Sequence, residues 1–137
     1  MSEPYLAIQV QMMPRDTNPY GTIFGGVLLS YIDTAGVIGA RHEVLKAGGS
    51  DRIVYVTVAI NRVEFKQPVH VGDVVRFMSR VVKIGRTSIT MQIDVTAERG
   101  REHLFVTEAE LVYVGLDATS TDRKPVSLIP KAVSHDG

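Results

Sequence analysis

The most constraining feature of this chain is a nearly uncharged run from Tyr20 to Ala40, in which Asp33 is the one charged side chain. A helix that is apolar on almost every side lies in a protein core or in a membrane. The acid in the middle of the run, its crowded glycines and the strand-like segments after it argue against a membrane span. We therefore predict a central helix in a globular domain, beginning at Gly25-Gly26 and ending near Lys46-Ala47-Gly48.

Small side chains on this helix indicate how closely it packs. Gly36 and Gly39, with Ala35 and Ala40, add little volume, so another backbone can lie close to the helix. A lone carboxylate in such a helix is energetically unfavourable unless it has a partner. Asp33 is therefore the first candidate for a functional residue.

Length and composition are those of one globular domain. The chain has 137 residues, 45% of them hydrophobic, and equal numbers of basic and acidic side chains, so nothing global indicates a nucleic-acid or anionic-membrane partner. It has no cysteine, which excludes disulfides and thiolate chemistry. The N-terminal residues do not resemble a secretory signal, and a cytoplasmic location is expected. We predict a single domain over residues 1–116 and a polar, proline-broken C-terminal tail over residues 117–137.

The rest of the chain is rich in β-strand signals. Residues 88–98 show the clearest alternation of apolar and polar side chains. Five strands are predicted, at residues 5–13, 53–65, 74–84, 88–98 and 103–114. One helix followed by four strands joined by tight turns predicts an α+β fold with a mostly antiparallel sheet packed on the helix. Because the helix is too apolar to keep a solvated side, either the sheet curls around it or a second subunit covers it.

Five short motifs follow one another between Met12 and Val114 and together resemble a known family. They are Asn18-x-x-Gly21-x-x-x-Gly25-Gly26, Tyr31-Ile32-Asp33, Val56-Thr57-Val58, Phe65-x-x-Pro68-Val69-x-x-Gly72-Asp73 and Gly85-Arg86-Thr87-Ser88. In this order they are similar to the hotdog-fold acyl-CoA thioesterases, in particular the bacterial cytosolic branch that hydrolyses short- to medium-chain acyl-CoA.

The resemblance implies a fold, an assembly and two catalytic residues. It implies a five-stranded sheet wrapped on the long helix, and a homodimer with a continuous sheet that assembles further into a trimer of dimers. The family's catalytic aspartate and asparagine correspond to Asp33 and Asn18. The substrate implied is acyl-CoA, and no cofactor, metal, nucleic acid or membrane partner is expected.

Each of these residues also has a purely structural interpretation. Asp33 acts as general base or nucleophile, or is a buried acid held by a structural hydrogen bond. Backbone amides of Gly25 and Gly26 form an oxyanion hole at the helix N-terminus, or the glycines only ease a tight turn. Asn18 orients water or donates to the substrate carbonyl, or forms an ordinary Asx turn.

Spacing along the helix bears on how the site is assembled. Gly26 and Asp33 lie on nearly the same face but about 10 Å apart along the axis. One water molecule does not easily bridge an acid and an oxyanion hole at that separation. We therefore expect a shared site, with Asn18 and the glycine amides from one subunit and Asp33 from its partner.

Substrate contacts are expected at two further places. The motif Gly85, Arg86, Thr87 and Ser88 contacts the coenzyme A arm, with Arg86 near phosphate, or is simply a hairpin turn. Thr57 lines the pantetheine channel, or is a threonine with ordinary strand propensity.

Two other functions compete with thioester hydrolysis. A hotdog hydratase or dehydratase would need a histidine beside the acid near the helix start, and His42 lies too far along the helix. A non-catalytic acyl-CoA-binding sensor would need an added DNA-binding module, and none is visible in so short and neutral a chain. The four histidines have no metal-ligand spacing.

Overall fold

One long helix lies against a single five-stranded sheet. The computed structural model describes residues 3–130. Helix α1 spans Gly25–Lys46, as the uncharged run predicts, and a short 3-10 turn precedes it at Pro14–Asp16. The strands are β1 (Tyr5–Gln11), β2 (Ile53–Ile60), β3 (Val74–Ile84), β4 (Ser88–Arg99) and β5 (Glu102–Asp117). They are ordered β1-β3-β4-β5-β2, and every neighbouring pair is antiparallel. The predicted α+β architecture is confirmed.

The two mid-helix glycines bring α1 into close contact with the sheet. A Cβ atom on Gly36 would lie 2.7 Å from Cζ of Tyr113, and one on Gly39 would lie 2.6 Å from Cβ of Ser79. Real side chains do not approach so closely, so only glycine allows the helix to sit at this depth. The glycines do permit a close approach, as predicted, but the atoms they admit belong to the side chains of Tyr113 and Ser79 and not to another backbone.

The opposite side of α1 is not covered by residues 3–130. Leu29 is 37% exposed, and Ser30 and Thr34 beside it are also exposed. The buried side of the helix consists of Leu28, Ile32, Ala35, Gly36, Gly39, Ala40, Glu43 and Val44. The sheet therefore covers one side of a helix whose first 16 residues carry a single charge, and the other side is open to a partner. Within residues 3–130, no helix combines the length and hydrophobicity that a bilayer span requires.

Strand β2 is shorter than the sequence predicts. The expected strand at residues 53–65 ends at Ile60. Beyond it the chain still touches β5 through single hydrogen bonds, from the Asn61 amide to Glu110 O and from the Lys66 amide to Val106 O. Because the intervening residues are mostly exposed and carry the charged side chains Arg62, Glu64 and Lys66, they gain little by completing a regular ladder.

The described part of the predicted C-terminal tail returns to the core. Strand β5 ends at Asp117, and the chain then folds back so that Leu116 pairs with Pro125. Leu128 is fully buried, and its amide donates to the carbonyl of Arg86. This polar segment thus has one apolar anchor on the domain. Residues 131–137 of the predicted tail lie outside the described residues.

The loop before β3 is held by an ion pair. Gly72 has a positive φ of 92°, which glycine adopts without strain. Asp73 then accepts the His70 amide at 2.9 Å and binds Arg99 through both carboxylate oxygens, at 3.0 and 2.9 Å. Burial raises the pKa of Asp73, but the hydrogen bonds from Arg99 and His70 outweigh it and lower the pKa below its usual value.

Candidate active site

The carboxylate of Asp33 is hydrogen-bonded by two hydroxyl groups from the sheet. Thr57 donates to its Oδ1 at 2.6 Å, a length typical of a hydroxyl bound to a carboxylate. The Tyr113 hydroxyl lies 2.8 Å from the Asp33 backbone oxygen and 3.2 Å from the same Oδ1. No hydrogen bond within residues 3–130 reaches Oδ2. One carboxylate oxygen is therefore fixed, and the other is available for chemistry.

Thr57 reaches Asp33 because of its position on β2. It pairs directly with Tyr113 of β5, and the β2–β5 register shifts between Thr57 and Ala59. A bulge of this kind re-aims neighbouring side chains. The structure thus gives Thr57 a specific partner, whereas strand propensity alone would give it none.

Tyr113 is the residue of this cluster that the sequence analysis missed. It is fully buried, on the inward face of β5. Burial, then the charge of Asp33 and the hydrogen bond with it, raise the pKa of Tyr113 far above its usual value, so the hydroxyl stays protonated. Alternation along β5 could have placed the ring in the core, where a tyrosine hydroxyl needs a partner. The identity of that partner depends on the depth of the helix, which no local pattern reveals.

The start of α1 presents free backbone donors beside an apolar cleft. The helix begins at Gly25, and its N-cap residue Phe24 makes no side-chain cap. Neither the Gly25 nor the Gly26 amide donates a hydrogen bond within residues 3–130. An open cleft of about 530 Å³ lies here. Its lining residues are Phe24, Gly26, Val27, Ser30 and Tyr31. The donors of a helix N-terminus and an apolar channel therefore occur together.

Asn18 organises the loop that leads into this helix. Its Oδ1 accepts the amides of Tyr20 at 2.8 Å and Thr22 at 3.1 Å, and its Nδ2 donates to the Thr22 hydroxyl at 2.8 Å. The Asx-turn interpretation of Asn18 is thus present in the single chain. An amide nitrogen carries two hydrogens, so a second donor remains for another acceptor.

The motif from Gly85 to Ser88 forms the β3–β4 hairpin. The Gly85 amide donates to Ser88 O at 2.7 Å, and Thr87 O accepts the Gly115 amide at 2.8 Å. The Arg86 side chain is exposed and makes no ion pair with any described residue. The backbone of this motif forms the turn, while the guanidinium of Arg86 is free to bind an anion.

The predicted site residues thus form three separate groups in one chain. Asp33 and Thr57 meet at Tyr113, which was not predicted, the Asn18 loop lies with the Gly25-Gly26 amides, and residues 85–88 form the β3–β4 hairpin. Along the helix axis Asp33 is about 10 Å from Gly26. In the described part of the chain, no cluster of three potential metal-binding side chains occurs. His42 is stacked on the ring of Tyr5, with the ring centroids 3.8 Å apart.

Comparisons with known proteins agree with this architecture. Residues 20–103 match the family model of the thioesterase superfamily. The acyl-CoA thioester hydrolase YciA of Salmonella typhimurium is 39% identical over 125 residues, covering 88% of this chain and 86% of that protein. A hexameric hotdog-fold thioesterase of Campylobacter jejuni superposes with a TM-score of 0.77, at 38% identity, covering 89% and 90% of the two chains. A hexameric thioesterase of Yersinia pestis has a TM-score of 0.80, at 36% identity, covering 96% and 100%.

Proposed function

This chain belongs to the thioesterase superfamily, and we propose that it hydrolyses acyl-CoA to a free fatty acid and coenzyme A, with Asp33 as the catalytic carboxylate. The observation that carries this assignment of Asp33 is its asymmetric hydrogen bonding. Thr57 and Tyr113 hydrogen-bond to Oδ1, and no hydrogen bond within residues 3–130 reaches Oδ2. Asp33 is only partly buried, so Oδ2 can reach water or substrate while the sheet holds Oδ1.

Two chemical routes start from this free oxygen. As general base, Asp33 takes a proton from water while the water oxygen bonds to the thioester carbonyl carbon. The C–S bond then breaks, and the coenzyme A thiolate takes up a proton. As nucleophile, Asp33 itself bonds to that carbon and the C–S bond breaks, which releases the coenzyme A thiolate and leaves a mixed anhydride. Water then hydrolyses the anhydride, which releases the fatty acid and restores the Asp33 carboxylate, and a proton passes to the thiolate. Hydroxylamine distinguishes the two routes, because only an anhydride can leave a hydroxamate on Asp33 itself, which mass spectrometry of the protein detects.

The developing oxyanion would be bound at the start of α1. The unused amides of Gly25 and Gly26 point out of the positive end of the helix, where negative charge is stabilised. The second Nδ2 hydrogen of Asn18 supplies a further donor to the carbonyl or to the attacking water. The apolar cleft beside Phe24 and Tyr31 would hold the acyl chain.

A complete site would require two subunits, because each chain holds Asp33 and Gly26 about 10 Å apart along the helix. Strand β2 lies at the edge of the sheet, and an exposed edge with apolar side chains favours pairing with another strand. Val56, Val58 and Ile60 on β2 are all exposed. Pairing of two β2 edges would give a homodimer with a continuous sheet. The hexameric relatives support further assembly into a trimer of dimers.

Coenzyme A would bind along the β3–β4 hairpin. The exposed, unpaired Arg86 offers a guanidinium for phosphate, and Gly85, Thr87 and Ser88 hold the turn that presents it. Thr57 would line the pantetheine channel on the face where it also contacts Asp33. A cytoplasmic location is part of the same proposal.

A thiol-release assay over a panel of acyl-CoA chain lengths tests the function. We expect free thiol and free fatty acid in equal amounts. Hydration of an enoyl-CoA without thiol release would show a hydratase. Tight acyl-CoA binding without turnover would show a binding protein, and either result would overturn the proposal.

A further inference from the structure

We infer that Tyr113 is a positioning residue, which fixes the Asp33 carboxylate so that Oδ2 is directed to the reaction. This inference rests on the proposed catalytic role of Asp33. It concerns a residue that would not touch substrate, and it follows from the contacts of one hydroxyl group.

The Tyr113 hydroxyl restrains Asp33 at two points. It has one proton, and two acceptors lie within reach: the main-chain oxygen of Asp33 at 2.8 Å and its Oδ1 at 3.2 Å. The shorter contact fixes the helix backbone at Asp33, and the longer one fixes the side chain relative to that backbone. Together they limit rotation of the carboxylate about both side-chain torsions.

Thr57 completes the restraint from the neighbouring strand. It is the direct β2–β5 partner of Tyr113 and donates to the same Oδ1. Because both hydroxyl groups lie on Oδ1, this oxygen is held by the sheet and Oδ2 is directed away from it. A productive geometry requires reacting atoms to be placed within a fraction of an ångström, and rigid neighbours provide that accuracy.

The chain contains a specific feature that permits this contact. Gly36 follows Asp33 by one helical turn, and a Cβ there would lie 2.7 Å from Cζ of Tyr113. The glycine therefore leaves the space through which the tyrosine hydroxyl reaches the Asp33 carbonyl. Any buried tyrosine hydroxyl needs a hydrogen-bond partner, and the absence of a side chain at Gly36 makes Asp33 that partner.

The protonation state of the Tyr113 hydroxyl also supports a positioning role. Burial and the neighbouring Asp33 charge raise the pKa of Tyr113 well above its usual value. The group therefore remains a hydrogen-bond donor at neutral pH, and it does not compete with Asp33 as a base.

The test compares Tyr113→Phe with wild type in the acyl-CoA thiol-release assay. Phenylalanine keeps the ring and removes only the hydroxyl. We expect kcat to fall about 10-fold, the size of one hydrogen bond to a charged group, with KM within twofold of wild type. Tyr55→Phe removes a half-buried hydroxyl from β2 that does not contact Asp33, and it should retain wild-type kcat.

A second comparison, made in a chain that carries Asp33→Asn, distinguishes loss of positioning from a general loss of structure. If Tyr113 acts through Asp33, Tyr113→Phe should cause no further loss of kcat in a chain that already carries Asp33→Asn. An equal loss in that background, or an unchanged kcat in Tyr113→Phe alone, would overturn the inference. If Tyr113→Phe does not fold, 3-fluorotyrosine at position 113 keeps the ring and hydroxyl and alters the donor. A changed kcat at constant KM then supports the inference, and an unchanged kcat overturns it.

The proposed function is tested separately, by the activities of the wild-type protein and of the Asp33→Asn variant. A wild-type protein that releases no thiol, or an Asp33→Asn variant with full activity, would refute the catalytic assignment itself. Normal wild-type turnover that is lost in Asp33→Asn but retained in Tyr113→Phe would refute only the positioning role.

Discussion

Thr57 and Tyr113 face each other across the β2–β5 ladder, and the hydroxyl groups of both lie within hydrogen-bond distance of Oδ1 of Asp33. The helix acid is thus anchored to a cross-strand pair, not to a neighbour on its own helix. Because β2 is also the edge of the sheet, pairing of this edge with another subunit would take place immediately beside the carboxylate.

Asp33→Asn is the most direct test of catalysis, because it keeps the size of the side chain and removes the charge. We expect kcat to fall by about 10²–10⁴-fold, the usual contribution of a general acid–base group. Asparagine still accepts through its carbonyl oxygen, so the hydrogen bonds from Thr57 and Tyr113 have an acceptor and the fold should be retained. Thiol release and thermal unfolding measure the two effects. Full activity in a folded variant would assign Asp33 a structural role.

The helix and the sheet were predictable because their signals are local. An uncharged run opened by Gly25-Gly26 and an alternating strand at residues 88–98 each specify an element without reference to the rest of the chain. The end of β2 was predicted wrongly, since residues 61–65 have strand-like composition but lie partly free of β5. Whether these residues form a strand depends on how many of their backbone groups hydrogen-bond to β5.

The candidate site was predictable only in part, for a similar reason. Asp33 is conspicuous as one charge in an apolar helix. Tyr113 is one of several inward-facing residues of β5, and nothing local distinguishes it. Its role arises from the register of β2 on β5 and from the depth that Gly36 gives the helix. Both are properties of the packed molecule.

Arg86→Ala tests the coenzyme A contact. The guanidinium is exposed and unpaired, so its loss should leave the hairpin intact and raise KM more than it lowers kcat. A charge-assisted contact to phosphate contributes about 1.5–3 kcal/mol, which corresponds to roughly 10- to 100-fold in KM. Arg101→Ala removes an exposed arginine from the β4–β5 turn and serves as the matched control. An equal KM in the two variants would leave Arg86 with a role in the turn alone.

The Asp73–Arg99 pair predicts a pH dependence of stability. Hydrogen bonds from Arg99 and His70 outweigh the effect of burial and lower the pKa of Asp73. A carboxyl with a depressed folded pKa stabilises the fold above its unfolded pKa, and the stability is lost as pH falls through the folded value. We therefore expect urea-unfolding free energy to decrease as pH falls below about 4.

Asp73→Asn should remove much of that acid-dependent loss, because the titrating group is gone. At neutral pH it should be less stable than wild type by about 1.5–3 kcal/mol, since Arg99 then loses its ionic partner. Unfolding is measured at one protein concentration, with Asp51→Asn, an exposed acid, as the control. Parallel pH curves for wild type and Asp73→Asn would contradict the assignment.

Gly36→Ala tests the close packing of the helix on the sheet. The added methyl group would overlap the Tyr113 ring, and overpacking of this kind destabilises a core by about 1–3 kcal/mol. Gly25→Ala places a methyl group 3.5 Å from Phe65, an ordinary contact, and should be neutral or slightly stabilising. Thermal unfolding of the two variants gives the comparison. Equal stability would mean that the helix can shift without cost.

Mixed oligomers test whether the site is shared between subunits. Asn18→Asp is the appropriate partner variant, since a carboxylate still accepts the Tyr20 and Thr22 amides but lacks the amide donor. It is co-expressed with an Asp33→Asn chain, and heterodimers are purified through two different tags.

The two arrangements predict different activities for this heterodimer. If each site takes Asn18 from one subunit and Asp33 from the other, one site has both native residues and the second has neither. Activity should then return to about half that of wild type per dimer, although each parent variant is nearly inactive. If each site uses both residues of one chain, every site carries one defect, and the heterodimer should be no more active than its parents. Verified heterodimers without recovery would therefore place Asn18 and Asp33 in a same-chain site.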